Sequence, residues 1–209
     1  DPNNNKEQAA LDLALARIRQ LSAHEIGHTL GFAHNFAASA NARTSVMDYP
    51  HPNLELEAGK IVFDNAYEVG IGSWDKVSVG YAYSDFPEGT DEKAALNNLL
   101  EKSVSEGHRF ISDRDARPVG GAHPKAHLWD NGSLATTELA NLMQIRSKAL
   151  SHLNLNHLRE GEPYSALEDR FVPMYLLHRY QVEAVVKLIG GVDYDYAVKG
   201  PQKYKTTTV

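Results

Sequence analysis

Two histidines, His24 and His28, stand four residues apart with Glu25 between them. Residues four apart on a helix share one face, so both imidazoles can approach a single metal ion. A carboxylate that points in a neighbouring direction can take a proton from a metal-activated water without binding the metal itself. The spacing therefore predicts metal-assisted hydrolysis with Glu25 as the general base.

Gly31 and His34 extend this pattern. Gly31 adopts a positive φ at little cost, so we expect the helix to end there and the chain to turn sharply before His34. That turn brings a third imidazole to the ion, and three protein ligands with one open position are typical of catalytic zinc. We expect one Zn²⁺ per chain, held by His24, His28 and His34.

Residues 24–34 match every fixed position of the signature HExxHxxGxxH, and Met47 and Tyr49 follow it. This pattern resembles the metzincin peptidases, whose signature is completed by a downstream Met-turn. The resemblance implies a zinc-dependent endopeptidase that acts on peptides or proteins. It also implies that Met47 packs beneath the zinc and that the Tyr49 phenol contacts the metal or stabilises the tetrahedral intermediate.

Segments 112–118 and 180–184 are similar to parts of large bacterial zinc-dependent metalloproteases once grouped as domains of unknown function. Those proteins are exported, so the resemblance implies a periplasmic or extracellular location. Metzincins also carry an upper, substrate-binding sheet before the active-site helix. Because 23 residues precede His24, we expect this sheet to be absent from the chain, which would then be weakly active or inactive.

The apolar pattern predicts that these residues are positioned by helices. Residues 6–30 place apolar side chains every three or four positions, which indicates one long helix. Residues 109–132 carry turn signals and are predicted to form a long loop. Further helices are predicted over 73–83 with Ser73 as the N-cap, 91–106, 133–153 and 165–189.

These elements predict a mainly α fold, the lower part of a metzincin-like catalytic domain with an appended helical region. Residues 1–90 would hold the active-site helix, the zinc site and the Met-turn. Residues 91–209 would form a helical C-terminal region packed on it. A zinc-binding but inactive fragment or scaffold domain is the alternative, and turnover with metal bound would separate it from an enzyme.

Composition excludes several other classes of protein. The chain has 209 residues, a net charge of -6 and no long basic run, which argues against nucleic acid as a partner. It has no cysteine, so disulfides and thiolate metal sites are excluded. No segment approaches the roughly 20 apolar residues that a membrane span needs. The sequence does not predict an oligomeric state.

Other candidate residues have ordinary structural explanations. Prolines flank His51, and Pro124 separates His123 from His127, so we expect exposed loop histidines and no second metal site. The apolar side chains of residues 171–180 are expected to pack in the core. The charged residues of 113–117 would form either a substrate-contacting loop or an ion-pair network, with Asp113 and Asp115 as a less favoured calcium site.

Overall fold

The computed structural model describes residues 6–198, and the Lys- and Thr-rich tail after Gly200 lies outside them. The fold is mainly helical, as predicted, with one two-stranded antiparallel sheet. Short 3-10 helices cover Ser39–Asn41 and Leu155–His157. The regular elements are α1 Lys6–Thr29, β1 Glu55–Glu57, β2 Lys60–Val62, α2 Ser73–Tyr83, α3 Glu92–Ser105, α4 Asp113–Ala116, α5 Ala135–His152, α6 Ala166–Tyr175 and α7 Arg179–Val186.

Helix α1 ends where its sequence predicts. Gly31 has a φ of 88° and its N–H donates to the carbonyl of His28 at 2.9 Å, while the N–H of Phe32 donates to the carbonyl of Gly27 at 3.0 Å. This pair of bonds is a Schellman motif, which satisfies helix-terminal carbonyls and reverses the chain. The phenol of Tyr83 donates to the carbonyl of Leu30 at 2.8 Å and ties α2 to the same turn.

Helices α2 and α3 pack against each other, and both begin and end close to the predicted residues. The expected N-cap is wrong: Ser73 is the first helical residue, and Gly72 precedes it in an extended conformation. The carboxylate of Asp75 accepts the N–H of Gly72 at 2.7 Å. A Cβ atom at position 72 would lie 1.9 Å from the carbonyl oxygen of Thr44, so only glycine fits there.

Helix α5 is the centre of the C-terminal region, where it contacts α6, α7 and both strands. The hairpin was not predicted, because its short strands are rich in charged residues. Its turn residues Ala58 and Gly59 have φ values of 46° and 76°, as a tight hairpin turn requires. In helix α7, Gln181 is buried and exchanges hydrogen bonds with the backbone of Asn131, which joins the helices to the long loop.

The single helix predicted over residues 165–189 is wrong, because the structure divides it into α6 and α7. Pro173 lies inside α6 and removes one backbone donor near the break, which the sequence could have signalled. The expected core packing of this segment is also wrong in part. Phe171 and Val172 are each 39% exposed and Tyr175 is 47% exposed.

Loops build a large share of the core. A buried cluster joins Phe36 and Ala37 to Ile111, Ala116 and Ala126, and Tyr49, Leu128 and Tyr194 pack against it. The long loop predicted over residues 109–132 supplies three members of this cluster and contains only the short helix α4. Within residues 6–198, no helix has both the length and the apolar character that crossing a membrane requires.

Candidate metal centre

Three imidazoles converge at the end of α1. The Nε2 atom of His28 lies 3.1 Å from Nε2 of His24 and 3.0 Å from Nε2 of His34. His24 is buried, whereas His28 and His34 are partly exposed, so solvent reaches one side of the cluster. Among residues 6–198 this is the group of histidine, cysteine and acidic side chains that could hold a metal ion.

Each imidazole has an acceptor on its other nitrogen. The Nδ1 atom of His24 lies 2.6 Å from the carbonyl oxygen of Val46, and Nδ1 of His28 lies 2.9 Å from that of Phe32. For His34 the acceptor is a carboxylate oxygen of Asp113, at 2.8 Å. Nδ1 therefore carries the proton in all three rings, which leaves every Nε2 lone pair facing the common centre.

This arrangement fits a zinc ion. Ligand atoms at 2.0–2.1 Å around a tetrahedral ion stand about 3.3 Å apart, close to the Nε2 separations in the cluster. Three lone pairs that face one another repel unless a cation lies between them. Burial also lowers the pKa of His24, which favours the neutral ring that binds metals. The three imidazoles could therefore hold a metal ion, and their spacing is compatible with zinc.

Glu25 lies on α1 beside His24. Its side chain is exposed, and it has no hydrogen-bond or ion-pair partner among residues 6–198. Its negative charge is near enough to the imidazole of His24 to raise the pKa of that ring in part. The carboxylate of Glu25 is therefore solvent-exposed next to the buried His24.

The Met-turn supports the cluster from below. Met47 is 2% exposed, and a Cβ atom at Gly27 in the last turn of α1 would lie 2.2 Å from its Sδ atom, so glycine is favoured at that position. The ring of Tyr49 packs on two of the imidazoles, with centroids 4.7 Å from His24 and 4.9 Å from His34. The structure thus brings Met47 and Tyr49 to the predicted site.

A buried carboxylate holds the Met-turn in place. Asp75 at the start of α2 is 5% exposed and accepts the N–H of Val46 at 2.8 Å and the hydroxyl of Ser45 at 2.5 Å. Val46 is the residue whose carbonyl oxygen bonds His24. By holding the backbone N–H of Val46, Asp75 positions the carbonyl group that bonds His24. The sequence around Asp75 did not indicate this role.

Sequence reasoning singled out Asp113 but missed its bond to one of the three histidines. Asp113 opens α4, bonds Nδ1 of His34 and forms an ion pair with Arg117 at 3.2 Å. Partial burial raises its pKa, but the hydrogen bonds from His34 and Arg117 outweigh that effect and leave the pKa below its usual value. These contacts favour the ion-pair network over a calcium site.

The C-terminal segment anchors α4 through Asp115, the second acidic residue of that helix. The phenols of Tyr194 and Tyr196 donate to the carboxylate of Asp115 at 2.6 and 2.5 Å. These hydrogen bonds lower the pKa of Asp115. Residues near the end of the described chain thus hold the helix that contacts His34.

Asn35 fixes the loop that follows His34. It is fully buried, and its side-chain amide donates to the carbonyl of Arg109 at 2.8 Å. Its Oδ1 accepts the N–H of Ile111 at 3.3 Å, and its own N–H donates to the carbonyl of Met47 at 3.0 Å. The backbone and side chain of this one residue, which follows His34 directly, therefore join the Met-turn to the long loop.

The expectation of exposed loop histidines is wrong. His51, His123 and His127 are all at least nine-tenths buried. His123 bonds the carbonyl of Tyr194 through Nε2 at 3.0 Å and accepts the N–H of Lys125 on Nδ1. Burial lowers the pKa of His127 to about 4. The prolines beside these residues break helices, as assumed, but the resulting loops are packed inside the molecule.

Two buried carboxyl groups flank Ser39 near the Met-turn. Asp48 accepts the N–H of Ser39 at 2.7 Å and that of Tyr49 at 2.6 Å, and Asp130 accepts the Ser39 hydroxyl at 3.4 Å. Burial raises the pKa of Asp48 to about 7. Burial and the nearby charge of Asp48 raise the pKa of Asp130 well above its usual value. The raised pKa values favour the protonated, neutral form of these two carboxyl groups.

Comparison with known proteins identifies a family. Searches of curated proteins and of solved structures find no match to this chain. A protein-family model described as Met-zincin matches residues 6–209, almost the whole chain, including the three-histidine cluster, Met47 and Tyr49. The family resemblance predicted from the signature is thereby confirmed, and the chain belongs to the Met-zincin family.

Proposed function

We propose that this chain is a zinc-dependent endopeptidase. The observation that carries the proposal is the convergence of three Nε2 atoms whose Nδ1 partners are all satisfied within the protein. Membership of the Met-zincin family suggests a metallopeptidase, and such enzymes act on peptides or proteins. His24, His28 and His34 would hold one zinc ion. Zinc in such a site supplies Lewis-acid activation of water.

Glu25 would act as the general base and then as the general acid. Its unpartnered carboxylate would take a proton from the attacking water onto a carboxyl oxygen and return it to the leaving amine. The phenol of Tyr49 would donate a hydrogen bond to the negative oxygen that develops on the substrate carbonyl. Packing of the Tyr49 ring on two imidazoles supports this role because it holds the side chain beside the site.

Metal content is the first test. We expect about one zinc per purified chain by elemental analysis, and loss of that zinc in His28→Ala. His152→Ala removes an exposed histidine from the end of α5 and is the matched control, which should keep its zinc. An unmodified chain that takes up no zinc after reconstitution would refute the proposal.

Turnover is the second test and separates an enzyme from a zinc-binding scaffold. Glu25→Gln should retain zinc but lose about 10²- to 10⁴-fold in peptide hydrolysis, the usual contribution of a general base. Equal inactivity of the zinc-loaded unmodified chain and of Glu25→Gln would favour the scaffold.

The periplasmic or extracellular location suggested by the resemblance is also a proposal, and fractionation of the source cells would test it.

A further inference from the structure

An open cavity of about 300 Å³ lies at the corner between α6 and α7. This volume is at the lower end of the range for ligand pockets. Residues from three separate parts of the chain form its apolar lining, namely Pro52, Trp129, Val172, Pro173, Leu176 and Leu177. The cavity therefore combines the segment after the Met-turn, the long loop and the end of α6 in one apolar surface.

Trp129 connects this cavity to the metal centre. Its ring centroid lies 5.4 Å from that of Tyr49, which itself lies 4.9 Å from that of His34. The N–H of Trp129 also donates to the carbonyl of Tyr49 at 2.9 Å. Trp129 has a φ of 63°, a left-handed conformation that is strained for a non-glycine residue and that recurs at functional sites.

Arg179 gives the cavity a positive rim. Its guanidinium lies 4.4 Å above the ring of Tyr180 and donates to the phenol oxygen at 2.7 Å. The arginine ion pairs found within residues 6–198 belong to Arg109, Arg117 and Arg170, so Arg179 has no carboxylate partner there. An unpaired arginine beside an apolar cavity favours a ligand that brings its own negative charge.

We propose that the cavity is a substrate subsite for a leucine- or phenylalanine-sized side chain that is followed or preceded by an acidic residue. This proposal rests on the proposed peptidase function for its connection with catalysis. An extended peptide advances about 3.3–3.6 Å per residue, and the two ring-to-ring steps sum to about 10 Å, so the ring of Trp129 lies no farther from that of His34 than the length of about three extended residues.

Binding can be measured without turnover, because Trp129 is one of two tryptophans in the chain. The other, Trp74, stacks on Phe110 and does not line the cavity. In a Trp74→Phe background, acetyl-Leu-Glu-amide should change the fluorescence of Trp129 in a saturable way. Acetyl-Leu-Gln-amide should bind about three- to fivefold more weakly, as expected for one exposed ion pair.

Two valines provide a matched pair of variants. Val172 lines the cavity and is 39% exposed, whereas Val119 is fully exposed in the long loop and does not line it. Val172→Arg should weaken binding of acetyl-Leu-Glu-amide at least tenfold, and Val119→Arg should leave it unchanged. Arg179→Gln should keep the binding of leucine but remove the preference for glutamate over glutamine.

The outcomes separate the subsite from the peptidase. Absence of saturable binding, or equal binding by the two valine variants, would overturn the subsite. A glutamate preference that persists in Arg179→Gln would overturn its acidic component. Saturable binding that is sensitive to Val172→Arg, in a zinc-loaded chain that cleaves no peptide, would support the subsite and refute the peptidase.

Discussion

The loops around the metal centre and helix α6 of the C-terminal region differ in how deeply their side chains are buried. Loop residues such as Asn35, Asp48 and His123 are almost completely buried, and they are polar. Helix α6 has no buried residue, although it carries large apolar side chains. Burial in this molecule therefore does not follow regular secondary structure, because these loop residues are buried and helix α6 is not.

The physical reason lies in hydrogen bonding. A buried loop must satisfy its backbone groups with partners other than its own helix, and each missing partner costs about 1–3 kcal/mol. Asn35 and Asp75 supply such partners to the backbone of the loops around the candidate metal site. Asp113 instead bonds the imidazole of His34 directly. Side chains of α6 are free of this requirement, so the helix can present an apolar surface to a ligand.

The largest expected effect comes from removing a buried acceptor. Asp75→Ala leaves the N–H groups of Val46 and Gly72 without their partner, and should lower the free energy of unfolding by about 4 kcal/mol. Asp91→Ala removes an exposed helix cap that accepts one N–H, and should cost about 1 kcal/mol. Urea unfolding measures both, and equal losses would contradict the comparison.

Crowding inside α1 gives the second effect. Gly27→Ala forces Sδ of Met47 to move and should cost about 2 kcal/mol in thermal unfolding. Gly80→Ala, also within a helix, meets only an ordinary contact with Leu99 at 3.5 Å and should stabilise the protein by up to about 1 kcal/mol. If both glycines tolerated alanine equally, Met47 would not be packed against α1 as described.

The third effect concerns zinc affinity, which competition with a chelator measures. Asp113→Asn weakens the hydrogen bond to His34 and should raise the zinc dissociation constant by about 10- to 100-fold. Arg117→Gln removes only the ion pair on the other side of Asp113 and should change it little. Equal losses in the two variants would mean that α4 as a whole matters, and not its bond to His34.

The smallest effect is a change in pH dependence. The folded pKa of Asp48 is about 7 and that of Asp130 is also raised, so the folded state holds protons more tightly than the unfolded state. Stability should therefore decline as pH rises from about 4 to about 7. Asp130→Asn should make this decline less steep. The exposed Asp85→Asn should leave it unchanged, and an unaltered slope in Asp130→Asn would contradict the raised pKa.

Local patterns predicted much of the fold and the centre of the site. The spacing of His24, His28 and His34 and the turn at Gly31 depend on residues close together in the sequence, and α1 shows both features. The bounds of α2, α3 and α5 also lie close to those predicted, although Ser73 does not cap α2. The roles of Glu25 and Tyr49, and a domain division near residue 90, stay predictions.

Long-range contacts could not be read in the same way. Nothing local to Asp113 signals a bond to a histidine 79 residues earlier, and nothing near Asn35 signals its bond to Arg109. Burial of His51, His123 and His127 depends on which loops fold over them. Pro173 was different, because a proline within a predicted helix is a local signal that the helix would be interrupted.

The bond between His34 and Asp113 also has a consequence for the order of folding. Two of the three imidazoles become neighbours as soon as one turn of α1 forms, which takes under about a microsecond. The turn at Gly31 brings the third imidazole close, but Asp113 fixes its orientation only after a loop of dozens of residues has closed, and such non-local contacts form slowly. We therefore expect tight zinc uptake to report a late stage of folding, so that a chain halted before the bond to Asp113 forms would bind zinc more weakly.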